Sequence, residues 1–208
     1  MKSVVSKSRR LPALLPAALL LAAVSAPGPA LAVTPSEQTV TYRISGASGA
    51  ELYESIGVNG PDLGGGRRAV AHTTFKLTWR RDYRPQADGS CVLASAVPRL
   101  IITYTLPKPS GKLPAAVADS WKKFAAGLTA HEKVHGRQIV DMVRTIETVS
   151  VGLSAPADPD CQKVRATLQG HLKGISDRRV AESREFDRVD MGPGGAVEKL
   201  ILDLVNGP

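Results

Sequence analysis

A long helical stripe follows Pro114, and it constrains the fold more than any other feature of the sequence. Apolar residues and two histidines recur there at steps of three and four: Trp121, Phe124, Leu128, His131, His135, Ile139, Met142 and Ile146. This spacing predicts one amphipathic helix over about residues 115–150. Gly152 and the proline-rich stretch 155–159 are expected to end it.

A second stripe of the same period follows this break. Its members are Cys161, Val164, Leu168, Leu172, Ile175, Arg179, Glu182 and Phe186. They predict a second helix over about residues 160–189. Because the connection between the two stripes is short, the helices should form an antiparallel pair.

The chain before Pro114 shows strand periodicity instead. Apolar and polar residues alternate around Val40–Ile44 and in segments 73–80, 91–97 and 99–106. Pro98 is expected to separate the last two strands, and Pro107 to close the sheet. The sequence thus predicts an α+β fold, with a small antiparallel sheet followed by the two long helices.

Residues 1–32 have the pattern of a signal peptide. Four basic residues precede an apolar stretch over 11–24, and Ala30-Leu31-Ala32 is a small-x-small cleavage site. We expect cleavage after Ala32 and export of a single domain, residues 33–208, to the cell envelope or the medium. The alternative is a membrane anchor, which prolines at 12, 16, 27 and 29 disfavour. No later segment approaches ~18 consecutive apolar residues, so the mature chain should lack an integral membrane segment.

The positive charge of the chain is concentrated in this leader. The formal net charge is +8, and without the leader's four basic residues it falls to +4. No basic stripe with interleaved aromatic residues is present. We therefore expect no nucleic-acid partner.

The two cysteines, Cys91 and Cys161, both lie in the mature chain. An exported protein meets oxidising conditions, so a Cys91–Cys161 disulfide is expected. The alternative is two separate buried thiols.

The first helix carries the pattern H-E-x-x-H at His131, Glu132 and His135. Two histidines four residues apart share one helix face and can chelate one Zn²⁺, while the glutamate can act as general base. This predicts His131 and His135 as metal ligands and Glu132 as the catalytic residue. The alternative is a pair of core histidines with a salt-bridging glutamate between them.

Gly136 directly follows the second histidine. A glycine inside a helix costs ~1 kcal/mol relative to alanine. Either it allows close approach of another segment or of substrate, or the helix simply tolerates it.

A catalytic zinc site needs a third protein ligand and an open fourth position. The metzincin continuation is absent, because Asp141 stands where its third histidine would be. If the second helix folds back on the first, residues 175–185 should lie opposite the motif, which favours Glu182. Glu185 and Asp187 lie within about a turn, and His171 lies nearer the connection. His72 is the next candidate if the helix-pair arrangement fails.

These motifs together resemble an exported bacterial family of unknown function whose members are described as secreted zinc-dependent proteases. The resemblance covers about residues 38–192. It is carried by segments 42–46 and 74–79, the two cysteines, Leu106-Pro107, Trp121 ten residues before the motif, and H-E-x-x-H itself. Phe186-Asp187 is similar to a Tyr-Asp pair of the family, which implies Asp187 as third ligand. In the family this pair is followed shortly by a Thr and a His-Gly. Asp190 and Gly192 stand where that Thr and His would be, so the family's later histidine is missing from this chain.

The function expected from these residues is zinc-dependent hydrolysis of peptide bonds in a peptide or protein substrate. The strand at 99–106 is expected to pair with an extended substrate, as edge strands do. The alternative is a non-enzymatic exported module, which binds metal or a partner through a degenerate site.

Overall fold

The computed structural model describes residues 33–207. The predicted signal peptide and its cleavage site lie outside these residues. In chain order the elements are β1 (Ser36–Ile44), α1 (Gly49–Asn59), β2 (His72–Pro85), β3 (Cys91–Pro109), α2 (Ala115–Ser150), β4 (Ser154–Ala155), α3 (Gln162–Asp190) and α4 (Ala196–Val205). The predicted α+β class is confirmed.

The two long helices begin and end within about two residues of the predicted bounds. Pro114 precedes α2, since proline suits the start of a helix but not its interior. Side chains of the last two turns of α3 contact the middle of α2, so the helices run antiparallel. No helix in the described part of the chain combines the length and the apolarity needed to cross a membrane.

The sheet is mixed instead of purely antiparallel. Its strand order is β1-β3-β2, and β1 runs parallel to β3 whereas β2 runs antiparallel to it. The two-residue strand β4 pairs with the start of β3. Alternating apolar residues specify which side of a strand is buried but not the direction of its neighbour, so the antiparallel prediction did not hold for β1.

The segments 91–97 and 99–106 form one continuous strand, β3, instead of the two that we predicted. Pro98 lies opposite Trp79 of β2, and the pairing with β1 begins only at Ile101. At Pro98 the strand therefore has a neighbour on one side only. A residue without an N–H group is tolerated there, because no second ladder requires it.

The prediction that residues 99–106 offer a free edge to substrate is wrong. Pairing with β1 covers Ile101–Pro109, and pairing with β2 covers Cys91–Thr105. The strand is therefore central, and β1 and β2 form the edges of the sheet.

The apolar core has three parts. One lies between α1, α2 and α4 and includes Leu52, Phe124 and Leu204. A second lies between the sheet and α2 and includes Ile102, Tyr104 and Val143. The third is small and surrounds the two cysteines. The C-terminal helix α4 completes the first part, because Leu204 is fully buried there and Leu200 and Ile201 pack against it.

Gly136 allows β3 to approach α2 closely. A Cβ atom on this residue would lie 2.2 Å from the Tyr104 hydroxyl oxygen, far inside van der Waals contact. The Tyr104 hydroxyl donates a hydrogen bond to Glu37 Oε1 at 2.9 Å, and Lys133 pairs with the same carboxylate. The glycine is therefore required for close approach, the first of the two explanations considered for it.

Cys91 and Cys161 join the start of β3 to the residue preceding α3. Their sulfur atoms are 2.04 Å apart, as the expected disulfide requires. Asp158, which is buried, accepts hydrogen bonds from the backbone N–H groups of Lys163 and Val164, both at 3.0 Å. These contacts hold the first turn of α3 against the sheet.

Candidate metal centre

The helix α2 places His131 and His135 one turn apart on the face toward α3. Both imidazoles contact the ring of Phe186, which stacks on His131 with the centroids 4.7 Å apart. His131 is 5% exposed, so its ring is almost fully removed from water. The rings are therefore held by packing before any ligand binds.

Three donor atoms converge between the helices. The Nε2 atoms of His131 and His135 are 3.2 Å apart, and Asp187 Oδ1 lies 2.9 Å from His135 Nε2 and 3.3 Å from His131 Nε2. Tetrahedral ligands at zinc distances of about 2.0–2.1 Å lie about 3.3 Å from one another. His131, His135 and Asp187 are also the described residues that could together hold a metal ion.

The other ring nitrogens have protein partners. His131 Nδ1 lies 2.6 Å from Asp190 Oδ2, and His135 Nδ1 lies 3.0 Å from Ser183 Oγ. When each Nδ1–H donates to its partner, each Nε2 keeps its lone pair. Two lone pairs and a carboxylate oxygen then face one another, which is repulsive unless a cation lies between them. The donor set therefore fits a zinc ion, and the Nδ1 partners are those that orient zinc-binding histidines.

Burial and charge act in opposite directions on these groups. Burial lowers the pKa of the His131 imidazole, but hydrogen bonds to Asp187 and Asp190 outweigh it, so this pKa is raised above its ordinary value. Burial raises the pKa of the Asp187 carboxyl, but the two imidazoles outweigh it and hold this pKa well below its ordinary value. The centre therefore favours positive charge, whether a proton or a metal cation.

Glu132 lies on the side of α2 that faces β2. It is 4% exposed, and the Thr73 hydroxyl donates to its Oε2 at 2.5 Å. The same hydroxyl lies 3.2 Å from the main-chain oxygen of Glu132. Thr73 therefore fixes one carboxylate oxygen, and Oε1 keeps its lone pairs for another proton donor.

A cavity of about 320 Å³ contains this centre. The three donor residues line it together with Glu132, and segment 68–73 forms one wall. Leu63, Val70 and Met191 supply apolar surface, and His72 and Arg179 supply polar groups. The centre therefore lies in a cleft with mixed walls, as substrate sites commonly do.

The structure places the acids that were considered as third ligand in different surroundings. Asp187 is brought to the imidazoles, whereas Glu182 lines a neighbouring cavity of about 310 Å³ beside Gln138. Glu185 pairs with Arg188 at the surface, and His171 is exposed on the first half of α3. His72 lines the metal cavity but is not one of the three converging donors. The helix-pair geometry favoured Glu182 because it assumed a direct turn between the helices. Instead the connection pairs with β3 through Ser154 and Ala155 before α3 begins, which changes the residues of α3 that lie opposite the motif.

Sequence reasoning missed the three supporting groups, Thr73, Ser183 and Asp190. Ser183 and Asp190 lie four residues before and three residues after Asp187, which is the spacing of one helix face. That pattern was available in the sequence. Thr73 gave no signal, because its contact with Glu132 depends on the placement of β2 against α2.

One family model matches the chain. It is described as a bacterial protein of unknown function (DUF922), and it matches residues 39–195. This span includes the three donors, Glu132 and both cysteines. No curated protein and no solved structure shows significant similarity to the chain.

Proposed function

Since the chain belongs to the bacterial family of unknown function DUF922, its activity has to be argued from its site, and we propose that it is an exported, zinc-dependent metallopeptidase. The observation that carries this proposal is the convergence of His131 Nε2, His135 Nε2 and Asp187 Oδ1 at zinc-ligand spacing. The carboxylate of Glu132, which lines the same cavity, supplies a base. A structural histidine pair requires neither feature.

His131, His135 and Asp187 would hold the ion, and three protein ligands leave a fourth position open. Zinc bound there supplies Lewis acidity, which polarises a peptide carbonyl and lowers the pKa of water toward ~7. Asp190 and Ser183 fix the ring orientations of the two histidines through Nδ1. The anionic Asp187 offsets part of the metal charge.

Glu132 is the proposed general base. Thr73 occupies Oε2, so Oε1 takes the proton from the attacking water and later gives it to the leaving amine. Glu132 is 4% exposed, so little bulk water reaches this carboxylate. The two roles, ligand and base, thus fall on different faces of α2.

The first residues of β2 lie beside the proposed centre. His72 and Thr73 line the cavity, and β3 is the only strand that pairs with β2 in the described part of the chain. The edge of β2 that faces away from β3 could therefore pair with an extended peptide, which would place a substrate backbone along the cavity.

Export is supported by the Cys91–Cys161 disulfide, because such bonds are typical of oxidising compartments. The bond is compatible with a secreted or cell-envelope location of the mature chain.

The decisive experiment separates ligand from base. Glu132→Gln keeps the size of the side chain but removes the proton acceptor, so zinc content should stay near one per chain while hydrolysis of a peptide library falls ~10²–10⁴-fold. His131→Ala should lose both zinc and hydrolysis, because two remaining ligands rarely hold zinc. Glu147→Gln makes the same chemical change elsewhere on α2 and should leave both unchanged.

Two results would contradict the proposal. Full activity in Glu132→Gln would exclude the general-base mechanism. Stoichiometric zinc without hydrolysis of any peptide would favour the alternative, a non-enzymatic exported metal-binding or interaction module.

A further inference from the structure

Arg179 lines the metal cavity without an anionic partner. Its Nε atom is buried and has no hydrogen-bond partner, and its guanidinium lies over the Phe75 ring, 5.6 Å from the centroid. Across residues 33–207 the side chain forms no ion pair. The ring contact orients the guanidinium but leaves its N–H donors free.

A partly buried guanidinium without an acceptor is unfavourable, because burial removes water from its donors. The acids that line the same cavity are already engaged: Asp187 contacts both imidazoles, and Glu132 accepts from Thr73. Glu182 lies one turn beyond Arg179, but the two form no ion pair. No acidic side chain within the described residues therefore pairs with Arg179.

Arg179 is placed in line with the metal donors. Arg179, Ser183 and Asp187 follow one another at four-residue steps, so they lie on one face of α3 at about 6 Å per step. An anion on the guanidinium would lie within about 12 Å of the donors along the helix axis. An extended peptide covers that distance in about four residues.

We propose that Arg179 is a carboxylate-binding subsite, and that the favoured substrates are peptides carrying a carboxylate within about four residues of the cleaved bond. The inference rests on the proposed peptidase function for its substrate class. A carboxylate suits the planar guanidinium, which can donate two parallel hydrogen bonds to it. The carboxylate would come from an acidic side chain or from a peptide C-terminus.

The alternative to substrate binding is a purely structural role for Arg179. Gln138 Oε1 is also buried without a partner, and it lines the neighbouring cavity that Arg179 also borders. A water molecule between these two atoms would satisfy both of them. In that case Arg179 would stabilise the helix pair and recognise no substrate.

The test measures peptide capture instead of turnover. Zinc-loaded Glu132→Gln protein is immobilised and exposed to two randomised peptide libraries, one with free and one with amidated C-termini, and captured peptides are sequenced by mass spectrometry. We expect peptides with a carboxylate to be enriched ~10–100-fold, the usual effect of a charged hydrogen-bonded pair. Enrichment in the amidated library identifies an acidic side chain, and enrichment confined to the free-acid library identifies the C-terminus.

The same capture is then repeated with second substitutions. Arg179→Gln should abolish the enrichment, and Arg179→Lys should retain part of it because the charge remains. Arg184→Gln removes an exposed arginine of the same helix and should change nothing. Zinc content and thermal midpoint are measured for each variant, so that a folding defect is recognised.

The possible failures are distinguishable. If wild-type protein cleaves peptides without preference for carboxylates, or if Arg179→Gln keeps the preference, the subsite is excluded and the peptidase stands. If carboxylate-dependent capture requires Arg179 but no peptide is cleaved, the subsite stands and the peptidase is excluded. Absence of both capture and cleavage excludes both.

Discussion

The two ends of α3 are attached to the rest of the molecule by different means. At the N-terminal end the Cys91–Cys161 bond, the buried Val164 and Leu168, and the cap from Asp158 fix the helix. At the C-terminal end no residue of the helix is fully buried, and Ser183, Asp187 and Asp190 contact the two histidines of α2.

The difference separates folding from ligand binding. The N-terminal attachment is covalent and apolar, so it needs nothing beyond the chain itself. At the C-terminal attachment the two histidine Nε2 atoms and Asp187 Oδ1 repel one another unless a positive charge lies between them. We therefore expect the first end to be stable with or without a bound metal ion and the second to become stable when a cation binds.

Removing the disulfide should have the largest effect on stability. The bond closes a loop of 70 residues, for which the chain-entropy model gives about 4 kcal/mol. Cys91→Ser should therefore lower the free energy of unfolding by about that amount in urea melts. Cys161→Ser and the double variant should show the same loss, because all three remove one bond, and zinc affinity should change little. A large loss of zinc affinity would contradict the independence of the two ends.

Zinc should stabilise the other end of the helix. Saturation at about 100 times the dissociation constant adds about 2.7 kcal/mol to the free energy of unfolding. In hydrogen exchange, protection should increase over residues 180–190 and stay constant over 162–170. His131→Ala is the control and should show no zinc-dependent protection. Uniform protection along the whole helix would contradict the proposed contrast.

Asp190→Asn should weaken zinc binding ~10–100-fold, the usual effect of removing a group that orients a ligating histidine. Ser183→Ala should have a smaller effect, because its neutral hydroxyl contacts the less buried ring. Asp177→Asn is the matched control, since Asp177 lies on the same helix and pairs with Lys173 at the surface. Competition with a chromophoric chelator measures all three affinities, and equal values would exclude a role for Asp190.

Asp158→Asn should have the smallest effect, and it depends on pH. Burial raises the pKa of Asp158, but backbone N–H groups of residues 162–164 outweigh it, so this pKa lies below its ordinary value. The carboxylate therefore stabilises the fold above the unfolded-state pKa of ~3.9, and this contribution is lost as the pH falls through the lower folded-state value. Thermal melts between about pH 2 and 7 should show a smaller acid dependence in the variant. An unchanged acid dependence would contradict this role.

The sequence predicted the parts of this molecule that depend on local pattern. The period of α2 and its flanking Pro114 and Gly152 specified that helix almost to the residue. The H-E-x-x-H spacing specified which side chains share a face. These features need only the geometry of one element.

The parts that depend on pairing between distant segments were not predictable. The strand β1 pairs in parallel with β3, and β3 continues across Pro98 without a break. Both features depend on which strands lie beside β3 at each position. Asp187 reaches the imidazoles and Glu182 does not, because the length of the connection determines where α3 begins. The family resemblance supplied Asp187 where the helix geometry favoured Glu182.

The helix α4 also bears on where the domain ends. The family model stops at residue 195, but α4 follows it and contributes Leu204 to the core against α1 and α2, with Leu200 and Ile201 packed against the same cluster. A similar offset exists at the other end, where β1 starts at Ser36 and the match at residue 39. A chain truncated to the matched span would expose the core at Leu52 and Phe124. The cooperative unit is thus longer than the stretch that the family shares, and truncation boundaries for this chain should follow the packing.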